Sequence, residues 1–197
     1  HLDDRILETP SFAVENAIKE VGRMGELAVA NTRLAIEALI EKDFKKVSDV
    51  SITEKHINNL DKLITDYLVK ISNTALNEHQ HKVITNLFHT VNDIERVGDH
   101  AENIADLAKY YTENELTFSG DALEEFMEIA ALTIDTIETA VRARLTDDAD
   151  LVKIVEQKEE EVDVLEEHLR GQHIRRLAKN QCDSTTGVVF LDSISNL

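Results

Sequence analysis

Apolar residues recur along this chain in alternating steps of four and three. From Val14 the seam runs through Ile18, Val21, Gly25, Ala28, Thr32, Ala35 and Leu39. That spacing lines up one face of a helix and suits packing in a bundle. Pro10 stands where a first helical residue belongs, with Thr9 before it as cap. Asp43 is the expected cap of a second helix, whose seam reads Val47, Val50, Glu54, Ile57, Asp61, Ile64, Leu68 and Ile71. Asn77 and Gln80 form a capping-box pattern that opens a third. Its seam is Ile84, Leu87, Val91, Ile94, Gly98, Ala101, Ala105 and Ala108. A break spans Thr112 to Gly120. Asp121 and Glu124 are then read as the capping box of a fourth helix, and Asp147 or Asp148 as cap of a fifth that runs to about Asn180. A last helix opens near Asp183.

The second half repeats the first. A shift of 105 residues carries Ile18, Val21, Gly25, Ala28, Thr32 and Ala35 onto Leu123, Phe126, Ala130, Thr133, Ile137 and Ala140. It also carries Asp43, Val47, Val50, Glu54 and Ile57 onto Asp148, Val152, Val155, Glu159 and Val162. In the third helix the shift becomes 103, placing Val91 on Ile194. The expected fold is therefore all-α: two tandem three-helix bundles, residues 1–115 and 116–197, the second copy truncated in its last helix. With 6 Gly, 1 Pro and no Trp, the composition offers little to a sheet.

Two positions break the apolar pattern in each repeat. Glu54 and Asp61 lie on the seam of the second helix, and Glu159 and Glu166 at the matching places of the fifth. A carboxylate facing a core is unfavourable unless it is paired, protonated or bound to a cation. A seam that opens to water is the plainer reading. The third helix carries Glu95 and Asp99 four residues apart, on one face, with Cβ atoms about 5–6 Å from each other. Gly98 lies between them and lets another helix or a ligand approach closely. Such pairs also arise by chance in a chain with 39 acids among 197 residues. This one stands out because Glu54 with Asn58, and Glu159 with Asp163, share its spacing at matching repeat positions. Oxygen donors from the second and third helices suit a hard or borderline metal ion. Asp61, Glu166, His100, Glu102 and Asn103 are candidates for further ligation or support.

Charge and chemistry narrow the function. A net charge of −18 repels phosphate backbones, so nucleic acid is not an expected partner. No stretch approaches the roughly 18 consecutive apolar residues of a membrane helix, and no signal peptide is evident. The start at His1 rather than Met is read as a piece of a longer protein. Cys182 is the lone cysteine, so no internal disulfide forms.

The stretch LFHTVNDIERVGDHAENIADL, residues 87–107, resembles the signature of the PhoU family, with its E(D)xxxD motif at Glu95 to Asp99. The second-helix segment Glu54 to Leu60 resembles that family's pattern too. The opening LDDRILETPSFAVENAIKEVGRM is similar to the segment that follows the membrane portion of bacterial sodium/phosphate cotransporters with a C-terminal PhoU-like region. The resemblance implies metal ions, iron or zinc, at the E(D)xxxD faces. Glu95 and Asp99 match that motif, Glu54 and Asn58 the second-helix partner, Glu159 and Asp163 the fifth. It further implies a regulatory domain without enzymatic activity, on the cytoplasmic side of the cell membrane, controlling phosphate uptake. Its partner would be the membrane-embedded transporter portion of the same protein or a separate phosphate transporter. A free-standing PhoU-type regulator is the near alternative. A carboxylate-bridged di-iron enzyme would need two Glu-x-x-His motifs, and only Glu78 to His81 supplies one. A structural helical dimerisation domain explains the seams but not the repeated acids, and small-residue seams serve a homodimer as readily as intrachain packing.

Overall fold

The computed structural model describes residues 9–146, 148–179 and 181–197, and among these all regular structure is helical. Six helices follow in order: α1 (Pro10–Glu41), α2 (Phe44–Ser72), α3 (Glu78–Glu113), α4 (Gly120–Thr146), α5 (Ala149–Ala178) and α6 (Ser184–Ser195). Their starts follow local chemistry. The Asp43 carboxylate accepts from the amides of Lys45 and Lys46, Asp148 from those of Asp150 and Leu151, and Asp183 from that of Thr186. Asn77 and Gln80 form a reciprocal capping box. Two expected starts differ. Thr9 makes no side-chain capping bond; Pro10 removes one of the orphan donors such a cap would serve. Helix α4 is capped by Ser119, whose Oγ accepts from the Ala122 amide, and Asp121 sits inside the first turn. Asp147 and Asn180, expected near the ends of α5, lie outside the described residues.

Helices α1, α2 and α3 pack against one another, and α4 packs on α5 and on α1. Helix α6, of 12 residues, bridges α3, α4 and α5. The first core gathers Val21, Met24, Ile57, Ile64, Leu68, Leu87 and Val91. The second gathers Phe118, Phe126, Ile129, Leu169 and Phe190 together with Leu39 from α1. Ala35, Val50, Ala101, Ile104 and Ala105 form a third, smaller cluster between them.

The two repeats meet through α1 and α4. Contacts run in opposite directions along the pair: Gly22 faces Leu145 and Gly25 faces Val141. Further along, Arg33 donates to Glu138, 105 residues away, at 2.5 Å. These two residues occupy the same place in each repeat. Counterparts touch only close to the axis that relates them, so a local pseudo-two-fold passes between α1 and α4. Close approach there needs glycine. A Cβ on Gly25 would lie 2.7 Å from Val141 Cγ1 and 3.2 Å from its Cγ2. Val141 is half-buried, but as a β-branched side chain it has little rotamer freedom with which to escape such a contact. Gly25→Ala is therefore expected to destabilise by about 1–3 kcal/mol through overpacking, despite the better helix propensity of Ala. Thermal unfolding checks it; a melting point raised by the substitution would contradict the crossing.

Candidate functional site

Helix α2 brings Glu54 to its inner face because Val50, Ile57, Ile64 and Ile71 on the same stripe must be buried. Glu54 goes in with them and is 1% exposed. Neither carboxylate oxygen has a hydrogen-bond partner. Buried polar groups are nearly always satisfied, so an orphaned carboxylate points to something the protein atoms do not supply. Opposite it lies Gly98 of α3. A Cβ there would sit 2.5 Å from Glu54 Oε2 and 3.0 Å from Oε1. The missing side chain of Gly98 is the space the carboxylate occupies.

The surroundings are anionic. Burial pushes the Glu54 carboxyl up to about 7 from an ordinary 4.5, and the charges of Asp99, Glu102 and Glu95 push in the same direction. Glu95 is raised as well, first by burial and then by Asp99 and Asp61, with Arg96 opposing. Carboxylates from α2 and α3 thus crowd one another around a solvent-free oxygen pair. In donor type and charge, Glu54, Glu95 and Asp99 suit a multivalent cation. Among the described residues no three His, Cys, Asp or Glu side chains are already disposed around a metal position. Glu95 is half-buried and Asp99 exposed, and both lie near enough to raise the Glu54 carboxyl.

The remaining candidates divide. Asn58, Asp61 and Glu102 are half-buried on the same two helices. His100 and Asn103 turn toward α6 instead. Asn103 donates to Asn196 Oδ1 at 3.1 Å, and His100 Nδ1 lies 3.4 Å from the same oxygen. In the second repeat Glu159 and Asp163 are exposed. Glu166 is half-buried and bound by Arg170, which also reaches Ser195 Oγ at 2.6 Å. The matching positions of the two repeats are therefore not in matching environments. Glu54 lies under Gly98, whereas no described residue covers Glu159 in that way.

A second polar cluster was not foreshadowed by any motif. His173 on α5 is 3% exposed and stacks on Phe190 of α6, with ring centroids 4.5 Å apart. Burial and the neighbouring Arg176 hold its imidazole below the usual range, Glu125 opposing. Arg176 is clamped by both oxygens of Glu125. Cys182 Sγ lies 3.9 Å from His173 Nε2. The only signal in the sequence is the spacing of Leu169 and His173, one turn apart.

Comparison with known proteins agrees with this architecture. The PhoU domain model matches residues 21–108 and 126–197, one match in each repeat. The phosphate-specific transport system accessory protein PhoU homolog 1 of Thermotoga maritima is 24% identical over 100 residues, covering 51% of this chain and 42% of that protein. The crystal structure of PhoU from Pseudomonas aeruginosa superposes with a TM-score of 0.87 at 21% identity, over 93% of this chain and 88% of that one. The phosphate transport system regulatory protein PhoU from Streptococcus pneumoniae gives 0.84 at 19% identity, over 95% and 87%. At these identities the structures speak for the fold, and the domain model, spanning most of the chain, for descent: the chain belongs to the PhoU family.

Proposed function

We propose that this protein is a regulatory module of phosphate transport, without catalytic activity of its own, that binds a metal ion through Glu54, Glu95 and Asp99. The observation that carries the metal is the buried Glu54 carboxylate, unpartnered and facing the side-chain gap at Gly98. A cation there would relieve repulsion among the acids and tie α2 to α3. Asn58 and Glu102 stand close enough in sequence and burial to complete or support the set. An all-oxygen set of this kind favours a hard or borderline ion such as iron over a soft one, with zinc the second choice. Metal binding of this sort converts mutual repulsion into folding free energy.

Phosphate transport as the regulated process is supported by family membership and by the names of the Thermotoga maritima and Streptococcus pneumoniae relatives. The partner would be a membrane-embedded transporter, met on its cytoplasmic face. Among the described residues no helix is long and apolar enough to cross a membrane. The resemblance of residues 2–24 to the segment after the membrane portion of sodium/phosphate cotransporters favours a tethered partner; residues 2–8 of that stretch lie outside the described residues.

Phosphate uptake by cells carrying the wild-type protein or the double variant Glu95→Ala, Asp99→Ala tests both parts. Uptake in the variant is expected to lose its response to external phosphate, and the purified variant to lose its metal by plasma mass spectrometry. A normal uptake response together with a wild-type protein free of metal would sink the reading.

A further inference from the structure

Where α1, α2 and α3 pack together, one level of the first repeat is polar. On α1 it holds Asn31, on α2 Glu54 and on α3 Gly98. About one turn to one side, Ala28, Ile57 and Ile94 belong to the first core. About one turn to the other, Ala35, Val50 and Ala101 belong to the smaller cluster. The level is closed between two apolar layers, and Asn31 and Glu54 are each 1% exposed.

Among the described residues, six buried side-chain polar atoms lack a hydrogen-bond partner, and three of them lie here: Asn31 Oδ1 and both oxygens of Glu54. The setting of the Asn31 amide is fixed. Its Nδ2 donates to Val50 O at 3.2 Å, and the reverse setting would press two oxygens together. In a regular helix Val50 O also accepts from the Glu54 amide. The Asn31 side chain therefore lies against the turn of α2 that carries Glu54. Three oxygens sealed in one layer, none with a partner in the protein, point to a ligand that satisfies them.

The buried threonines of this bundle behave otherwise. Thr32 and Thr90 donate to the carbonyls of Ala28 and Asn86 on their own helices. So does the residue that matches Asn31 in the second repeat: Thr136, 105 residues on, donates to Leu132 O at 2.8 Å. The matching acid there, Glu159, is exposed. The amide thus accompanies the sealed acid and is missing beside the exposed one.

We propose that Asn31 is a further ligand of this site, its Oδ1 being the neutral oxygen that α1 contributes to a cation held by Glu54. The inference rests on the metal reading of Glu54, Glu95 and Asp99. An amide oxygen is a hard donor that binds such cations without adding charge. That suits a place where Asp99, Glu102 and Glu95 already repel Glu54. An ion held in this way ties α1, as well as α3, to α2.

Two substitutions separate a ligand from a structural amide. Asn31→Leu matches the side chain in size and removes both polar atoms. Asn31→Asp keeps the oxygen and loses the donor. Both lose the bond to Val50 O, so a structural role predicts that they behave alike. Fe²⁺ affinity is measured without oxygen by competition with a chromogenic chelator, and circular dichroism in chelator checks the fold. Asn31→Leu should bind Fe²⁺ about tenfold or more weakly than wild type, a loss usual even for an outer-shell partner. Asn31→Asp should bind at least as tightly as wild type. An aspartate variant that gains its helix content only on adding iron supports the proposal, and one that stays unfolded with iron overturns it. Equal weakening of both variants overturns it, as does a leucine variant that fails to fold in chelator. Wild-type affinity in Asn31→Leu overturns it too and leaves the metal reading of Glu54 standing; a wild-type protein that binds no Fe²⁺ overturns both.

Discussion

Glu54→Gln is expected to raise the stability of the metal-free protein at pH 8 by on the order of 3 kcal/mol. The carboxyl titrates near 7 in the fold against an ordinary 4.5, because burial and then Asp99, Glu102 and Glu95 disfavour its charge. Every tenfold change in a group's proton affinity on folding is worth about 1.4 kcal/mol. Since the folded pKa is the higher one, the native state holds the proton longer than the unfolded chain. Stability is therefore greatest below about pH 4.5 with respect to this group, falls as pH rises toward 7, and stays low above. A neutral amide of nearly the same shape has no such slope. Variant and wild type should match at pH 4 and diverge at pH 8, by about 5–10 °C in melting temperature for a chain of this size. A saturating metal ion should reverse the order, because the wild type gains the binding energy and the amide cannot. If the two proteins melt together at pH 8 in chelator, the carboxylate is not trapped as described.

Phe190→Ala carries the other large effect, about 3–5 kcal/mol of destabilisation. Phe190 is fully buried and is the anchor of α6. Its ring meets Phe118 edge-on at 5.6 Å and stacks on His173 at 4.5 Å. A helix of 12 residues has little propensity of its own to stand without packing. Losing the ring should free α6 before anything else unfolds. Hydrogen exchange would then show protection lost first across residues 184–195, with α2 and the first half of α3 unaffected. Uniform loss across all six helices would indicate that α6 is not the weak element.

The seams made the fold legible. Steps of four and three recur because each helix buries one stripe, and the breaks between them coincide with Asp43, Asn77, Asp148 and Asp183, each of which caps a helix start. The start of α4 was harder to read. Asp121 and Glu124 imitate a capping box, but Ser119 lies earlier and its backbone is already turned into the helix. At the candidate site the sequence marked Glu54 and Gly98 separately, as an acid and a glycine on apolar seams that both defy helical packing, but not that one faces the other. It could not carry the difference between Glu54 and Glu159. That depends on which helix covers each acid, and a duplicated pattern looks the same whether covered or open. The cluster of His173, Arg176, Glu125 and Cys182 was silent for a related reason: four residues from α4, α5 and the loop before α6 converge only through tertiary packing.

The ion pair between Arg33 and Glu138 has a consequence for ancestry. Both side chains are about half exposed, so their attraction adds little to stability. Were the two halves identical, however, like would face like at that place: arginine against arginine, or glutamate against glutamate. Opposite signs arise there only after the copies have diverged. The contact thus marks divergence of the two copies at their shared axis, where a repulsion between like charges has given way to a weak attraction between unlike ones.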